Sequence, residues 1–495
     1  MSPTNTCLHG ALLHQSARHS SKTAIYWGDT EVSYLALSYS IRNIAVKLQL
    51  AGVKSGDHVG LWMKNCPEFI IAYFAILSCG AVVVPVNNFL KPAEIRFILE
   101  DAEANVVVSE NALIAQAGDL TSSNAQPKLL AIEDLLNGAA DAGFNPVPRT
   151  RDDLAVIIYT SGTTGRPKGA MLSHGNLLHN VASCEVVLAA VDADRFAVML
   201  PLFHSFMMTV GMILPLMVGG SIVLIKSLNP PKNAIIEIIR RGATILPAVP
   251  QFFRALAGAG VKDQLPLRLC ISGGAPLPGE ILREFEDSMP IPLIEGYGLS
   301  ESSPVASLNP INGRRKPGSI GVPISNVELA VWNDEGVALG VRETGEIVIR
   351  GGNVMMGYWK NPEASAQALR DGWLLTGDIG YRDEDGYFFI TDRKKDMLLV
   401  NGINVYPREI EEVIYQFPGV REAAVIGKTD PRRGEQAIAF VSANEGAVID
   451  GKELSAFLKS KLADYKVPRK IIQLPALPRT ATGKILKTSL RELTV

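Results

Sequence analysis

Between residues 160 and 169 the chain reads TSGTTGRPKG, which sets hydroxyl side chains and a lysine among glycines. Thr160, Ser161, Thr163 and Thr164 are hydrogen-bond donors, and Lys168 adds a compact positive charge. Gly162, Gly165 and Gly169 permit left-handed backbone and let main-chain N–H groups approach an anion closely. Such a density of donors suits a polyphosphate. The common Walker loop needs four residues between its first glycine and a Gly-Lys-Ser/Thr ending. Here Gly162 and Gly165 stand three apart and Pro167-Lys168-Gly169 replaces the ending, which disfavours a conventional P-loop NTPase. A surface turn would explain the glycines, but not the hydroxyls and the lysine together.

The run AVIIYT ahead of this loop has the β-branched, continuously apolar texture of a buried strand, so the loop is expected to leave its carboxyl end. HVGLWM, AVVVPV, VVVS, SIVLI, ATILPAV and LRLCISGG share that texture and alternate with helix-like segments. Apolar strands separated by helices predict an α/β fold whose parallel sheets are covered on both faces. EFIIAYFAIL followed by AVVVPV approaches membrane length, but Gly80 and Pro85 interrupt it, and a buried helix turning into a buried strand is the better reading. Past residue 318 VELAVWN, GEIVIRG and GYFFIT alternate between Gly and Asp turns, predicting a smaller antiparallel, barrel-like layer. From residue 392 the polar run DRKKD gives way to helix and strand material suited to a small α+β unit. Residues 118–150 read as a variable surface connection, and residues 1–22 as an amphipathic helix rather than a transit peptide.

At 495 residues the chain exceeds one compact core, and a formal charge of −2 provides no field to recruit nucleic acid. The five cysteines lie far apart, which argues against a zinc site or a disulfide scaffold and suits a reducing cytoplasm. No transmembrane segment is expected, and the composition is compatible with peripheral membrane contact and with either a monomer or a homodimer.

YTSGTTGRPKGA closely resembles the signature loop of the AMP-forming acyl-adenylate synthetases. PLFHSF, ISGGAPL, EGYGLSES, TGD, DRKKDMLLVNGINVYPREIE and PRTATGKILK follow in that family's order and extend the resemblance over nearly the whole chain. The resemblance implies a two-step reaction. A carboxylate attacks the α-phosphate of ATP to give an acyl-adenylate and pyrophosphate, and a thiol then displaces AMP. It further implies that the 160–169 loop holds the β- and γ-phosphates, and that Glu301 contacts Mg²⁺. Ser300 stands where the family often has threonine. Tyr297, within Glu295-Gly296-Tyr297-Gly298, would offer a flat face to adenine, with Gly273, Gly274, Ala275 and Pro276 as the opposite wall. Asp378 would accept from the ribose hydroxyls beside Arg393.

By the same resemblance, Lys484 in TATGKIL is the catalytic cation that aligns the carboxylate with the α-phosphate. Lys395 matches the hinge. The implied organisation is an ATP- and acyl-binding domain over 1–391, a hinge over 392–396 and a small mobile domain over 397–495. That small domain would rotate between half-reactions and bring Gly402 to the thiol.

For the acid, PLFHSF offers no carboxylate to pair an amine, so an α-amino acid is disfavoured. His204 resembles a pocket-gating histidine with a part in catalysis, while Phe206, Met207, Gly273 and Gly298 are expected to touch the acid. Each methylene buried there is worth about 0.8 kcal/mol. A medium- to long-chain fatty acid is the first expectation, with hydroxycinnamate-like or benzoate-like acids behind it. Coenzyme A is the expected thiol, with Arg432 and Arg433 near its phosphates, and an acyl carrier protein is the rival.

Overall fold

The computed structural model describes residues 6–116, 127–138, 144–160, 167–230, 232–394, 396–400, 403–430, 434–480 and 483–493. Two sheets carry the larger part of the molecule. In the first, Leu154–Thr160, Val82–Pro85, His58–Trp62, Val106–Ser109 and Lys128–Ala131 are neighbours in that order and all parallel. In the second, Leu293–Gly298, Leu269–Ser272, Ile245–Ala248, Arg195–Val198, Ser221–Leu224 and Thr23–Trp27 are likewise parallel. Seven of these strands fall in the apolar runs named above, because a strand buried on both faces has no reason to alternate. Helix Pro67–Ser78 is buried along its entire length, which explains a composition close to that of a membrane span. Among the described residues no helix is long and apolar enough to cross a membrane.

The alternating segments form an antiparallel sheet of Val327–Trp332, Gly345–Gly351 and Trp373–Arg382, with Phe388–Arg393 paired to the last. This is the barrel-like layer. A further sheet, built around the long pair Val420–Asp430 and Gly434–Ala443, makes the small C-terminal domain with helices Pro407–Tyr415 and Gly451–Lys461. Buried side chains cluster separately on the two sides of the stretch from Ile390 to Leu398. The connection expected at 118–150 holds more order than its composition suggests. Lys128–Ala131 adds a parallel edge strand beside Val106–Ser109, and helix Ile132–Leu136 follows it. The strand's four residues, KLLA, are only partly buried because an edge strand has one neighbour.

Candidate active site

Strand Leu154–Thr160 pairs antiparallel with Lys168–Ser173, and Thr160 stands opposite Lys168. The two ends of the glycine-threonine loop are therefore fixed in register at the carboxyl edge of a sheet. Ser161, Gly162, Thr163, Thr164 and Gly165 lie outside the described residues, as do Lys395, Gly402, Arg432 and Arg433. Thr160 and Lys168 open on a cavity of about 730 Å³ that also receives His204, Glu301, Arg393 and Lys484. Residues more than 300 positions apart in sequence thus share one chamber.

One wall carries Glu301. Tyr358 donates its hydroxyl hydrogen to Glu301 Oε1 at 2.8 Å, and Thr160 Oγ1 approaches the same oxygen at 3.5 Å. The Lys168 ammonium lies 5.3 Å from the centroid of the Tyr358 ring. Burial, and then the Glu301 charge, hold the Tyr358 phenol well above its ordinary range, so it remains a donor. Tyr358 had no signal of its own in the sequence. It reaches the site because the short strand Gly357–Tyr358 pairs with Lys168–Ser173.

Tyr297 forms another wall. Its hydroxyl donates to Asp378 Oδ2 at 2.6 Å, and Arg393 Nε lies 3.1 Å from Asp378 Oδ1. Asp378 is 3% exposed, and its backbone N–H donates to Thr376 Oγ1 at 3.0 Å. A buried carboxylate that already fixes a phenol and a guanidinium is a rigid acceptor for further hydroxyls. Glu295 differs from expectation. It does not line the cavity; its carboxylate accepts from the Leu277 N–H at 3.0 Å and faces Arg408 at 4.0 Å. Burial pushes its acid up to about 7, against the lowering effect of Arg408. Gly273 and Gly274 line the chamber, whereas Ala275 and Pro276 continue outward, half-buried and exposed.

The apolar end is built around His204 and Phe206, which precede a π-helical turn at Met207–Ile213. Phe206 and Val210, four residues apart, face the cavity. Met207 does not. It is wholly buried in the core, and its side chain packs over Gly211. A Cβ on Gly273 would stand 2.9 Å from Phe206 Cζ, and one on Gly298 would run into the Pro304 carbonyl, so Gly273 makes room for the Phe206 ring and Gly298 for the neighbouring main chain. His204 Nδ1 accepts from the Phe206 N–H at 3.3 Å. Burial, followed by the Lys484 charge, lowers this histidine to about 4, which keeps the ring neutral. Ser205 and Ser300 share a hydroxyl contact at 3.0 Å beside it.

Lys484 is presented by a tight turn in which the Thr480 N–H donates to the Lys484 carbonyl at 2.7 Å. Gly483 sits at φ +83°, a conformation that a side chain would strain. Arg479 clamps the turn, bonding the Gly483 carbonyl with one nitrogen and Glu422 at 2.6 Å with another. Among the described residues no three His, Cys, Asp or Glu side chains come together to cage a metal. A lone Glu301 beside a phosphate loop fits Mg²⁺, which readily completes its shell with phosphate oxygens and water.

The model of the AMP-binding enzyme family matches residues 12–359, and that of the AMP-binding enzyme C-terminal domain matches residues 409–484. A feruloyl-CoA synthase of Amycolatopsis is 38% identical, over 95% of this chain and 95% of its own. A long-chain-fatty-acid–CoA ligase of Bacillus subtilis is 34% identical, over 99% of this chain and 94% of its own. Among solved structures, ATP-bound MatB from Rhodopseudomonas palustris superposes with a TM-score of 0.91 at 34% identity, covering 98% of both chains. The apo crystal structure of that same protein gives 0.78 at the same identity and coverage. With sequence held constant the difference is conformational, and this chain is arranged more nearly as the ATP-bound form.

Proposed function

The chain belongs to the AMP-binding enzyme family and is an AMP-forming acid–CoA ligase, and from that premise we propose that it activates a fatty acid of medium to long chain. The observation that carries this reading is the shared chamber, in which Lys484 and Glu301 meet an end made of Phe206, Val210 and Ile271. Among the described residues, those that make up this end carry no charge to pair with a second ionic group on the acid.

In the first half-reaction a carboxylate oxygen attacks the α-phosphorus of ATP, the bond to the bridging oxygen breaks, and pyrophosphate leaves. Two anions must meet, and at close range in a site shielded from water their repulsion is large. Lys484 offsets it and aligns the pair. Thr160 and Lys168, with the loop between them, hold the departing phosphates, and Asp378 accepts from the ribose hydroxyls. Glu301 would hold Mg²⁺, which when bound neutralises phosphate charge. Neutral His204 closes the mouth of the acid site without adding a second cation. In the second half-reaction the thiol of coenzyme A attacks the acyl carbon and AMP leaves. We place residues 397–495 as the unit that turns between the two steps, and the enzyme in a reducing compartment, in keeping with five unpaired cysteines.

A second reading is a hydroxycinnamate-like acid, favoured by the identity to the feruloyl-CoA synthase, which exceeds that to the fatty-acid ligase. Acid-dependent exchange of pyrophosphate into ATP, over a panel of fatty and aromatic acids, tests both. Exchange with fatty acids and AMP release with coenzyme A alone are expected. Preference for the aromatic acids selects the second reading, release of ADP overturns the reaction, and a need for carrier protein overturns the choice of thiol.

A further inference from the structure

Helix Pro407–Tyr415 of the small domain carries two charged residues, Arg408 and Glu412, that approach the large one. Arg408 and Glu412 stand one turn apart on that helix, hence on one side of it. Arg408 Nη2 lies 4.0 Å from Glu295 Oε1, with the two side chains 11% and 6% exposed. Glu412 is placed beside the backbone N–H of Gly279, the first residue of helix Gly279–Ser288, and burial raises its acid against the lowering effects of Arg408 and of that N–H. A carboxylate at that position meets both an otherwise unpaired N–H and the positive end of the helix. Alongside, Arg254 of the large domain donates to the Arg421 carbonyl at 3.1 Å while its other nitrogens grip Glu284 at 2.8 and 2.9 Å. The partners are complementary across the interface: cation to carboxylate, carboxylate to helix amino end, guanidinium to carbonyl.

None of these groups touches the cavity. Their effect is on Lys484, which belongs to the same small domain and faces the chamber only while that domain keeps this position. We propose that Arg408 and Glu412 form a docking latch for the adenylate-forming pose, with Arg408 a positioning residue that acts through Lys484. The inference rests on the two-step reaction proposed above. The latch would have to open for thioester formation, and a charge pair at 4.0 Å, held by few atoms, is suited to repeated breaking. Because both charges are largely withdrawn from water, loss of one leaves the other unpaired in the docked pose alone, which biases the domain away from it.

The test separates the half-reactions in the full-length enzyme. Arg408→Met and Glu412→Gln are each expected to lower acid-dependent pyrophosphate exchange about tenfold or more, the scale of a modest population shift. Transfer from supplied acyl-adenylate to coenzyme A should be unchanged or faster, which also demonstrates folding. Arg408→Lys should restore part of the exchange. Combining Arg408→Met with Lys484→Ala should be no worse for exchange than Lys484→Ala alone, because the latch serves that lysine. Equal loss of both half-reactions, unaltered exchange, or an additive double variant would each overturn the latch. If wild-type enzyme lacks acid-dependent exchange altogether, it is the proposed function that fails instead.

Discussion

At the scale of single residues, the site keeps opposite demands apart. It gathers cations for phosphate, Lys168, Arg393 and Lys484, yet keeps His204 neutral by burying it near one of them. A positive His204 would compete with Lys484 for the carboxylate. Of the other two cations gathered for phosphate, Lys168 is engaged over the Tyr358 ring and Arg393 on Asp378. Lys484→Ala is therefore expected to lower adenylate formation by two to three orders of magnitude, roughly the worth of one preorganised electrostatic contact. ATP binding and the melting temperature should hardly move. Acid-dependent pyrophosphate release by the purified variant checks this, and wild-type release would remove Lys484 from the mechanism.

At the scale of elements, the catalytic turn depends on a clamp. Arg479 bridges the Gly483 carbonyl and Glu422, and Glu422 also accepts from Ser442 at 2.7 Å and from the Leu477 N–H at 3.1 Å. This ties the turn to strands Val420–Asp430 and Gly434–Ala443. Arg479→Lys keeps a charge for Glu422 but cannot fork to both partners. We expect about a tenfold fall in kcat for adenylation with the KM for ATP little changed, since position rather than binding is lost. Stopped-flow pyrophosphate release would measure it, and an altered KM at full kcat would contradict it. The same scale shows what was legible. The seven apolar runs gave strands because burial on both faces leaves its mark on every residue. Met207 was misjudged because a helical run of Phe, Met and Met does not show which side faces a cavity; the π-helical turn turned Phe206 and Val210 toward it. Glu295 sits within a motif of cavity residues, yet its partners come from Leu277 and Arg408, one nearby and one in the other domain.

At the scale of the molecule, the amino-terminal helix Leu8–Arg18 is tied to the large domain through histidines. The Leu8 N–H donates to His174 Nδ1 at 3.2 Å, and His9 Nε2 lies 3.1 Å from the Val147 carbonyl. Burial is the main cause that lowers His9 to about 4 and His174 to about 3. In the unfolded chain both would titrate near 6.5, so the unfolded state binds protons that the folded state refuses. Stability is thus full above about pH 6.5 and falls as the pH drops toward 4; for His9 alone the loss approaches about 3 kcal/mol. Denaturant melts between pH 7 and pH 4 should show this slope, and His9→Asn should flatten it. A slope identical in that variant would show that other groups govern acid sensitivity.

The amino-acid order alone determined the parallel sheets, the antiparallel layer, the order of the motifs and the reaction class. The sheets and the layer follow from local hydrophobic pattern, and the reaction class from short motifs that resemble, in type and order, those of one family. Tertiary structure decided the rest. Tyr358 joined Glu301 through strand register, Asp378 locked Tyr297 across 81 positions of sequence, and Arg408 met Glu295 through domain docking. Such pairings depend on where two distant backbones come to lie, and no property of either short segment encodes that distance.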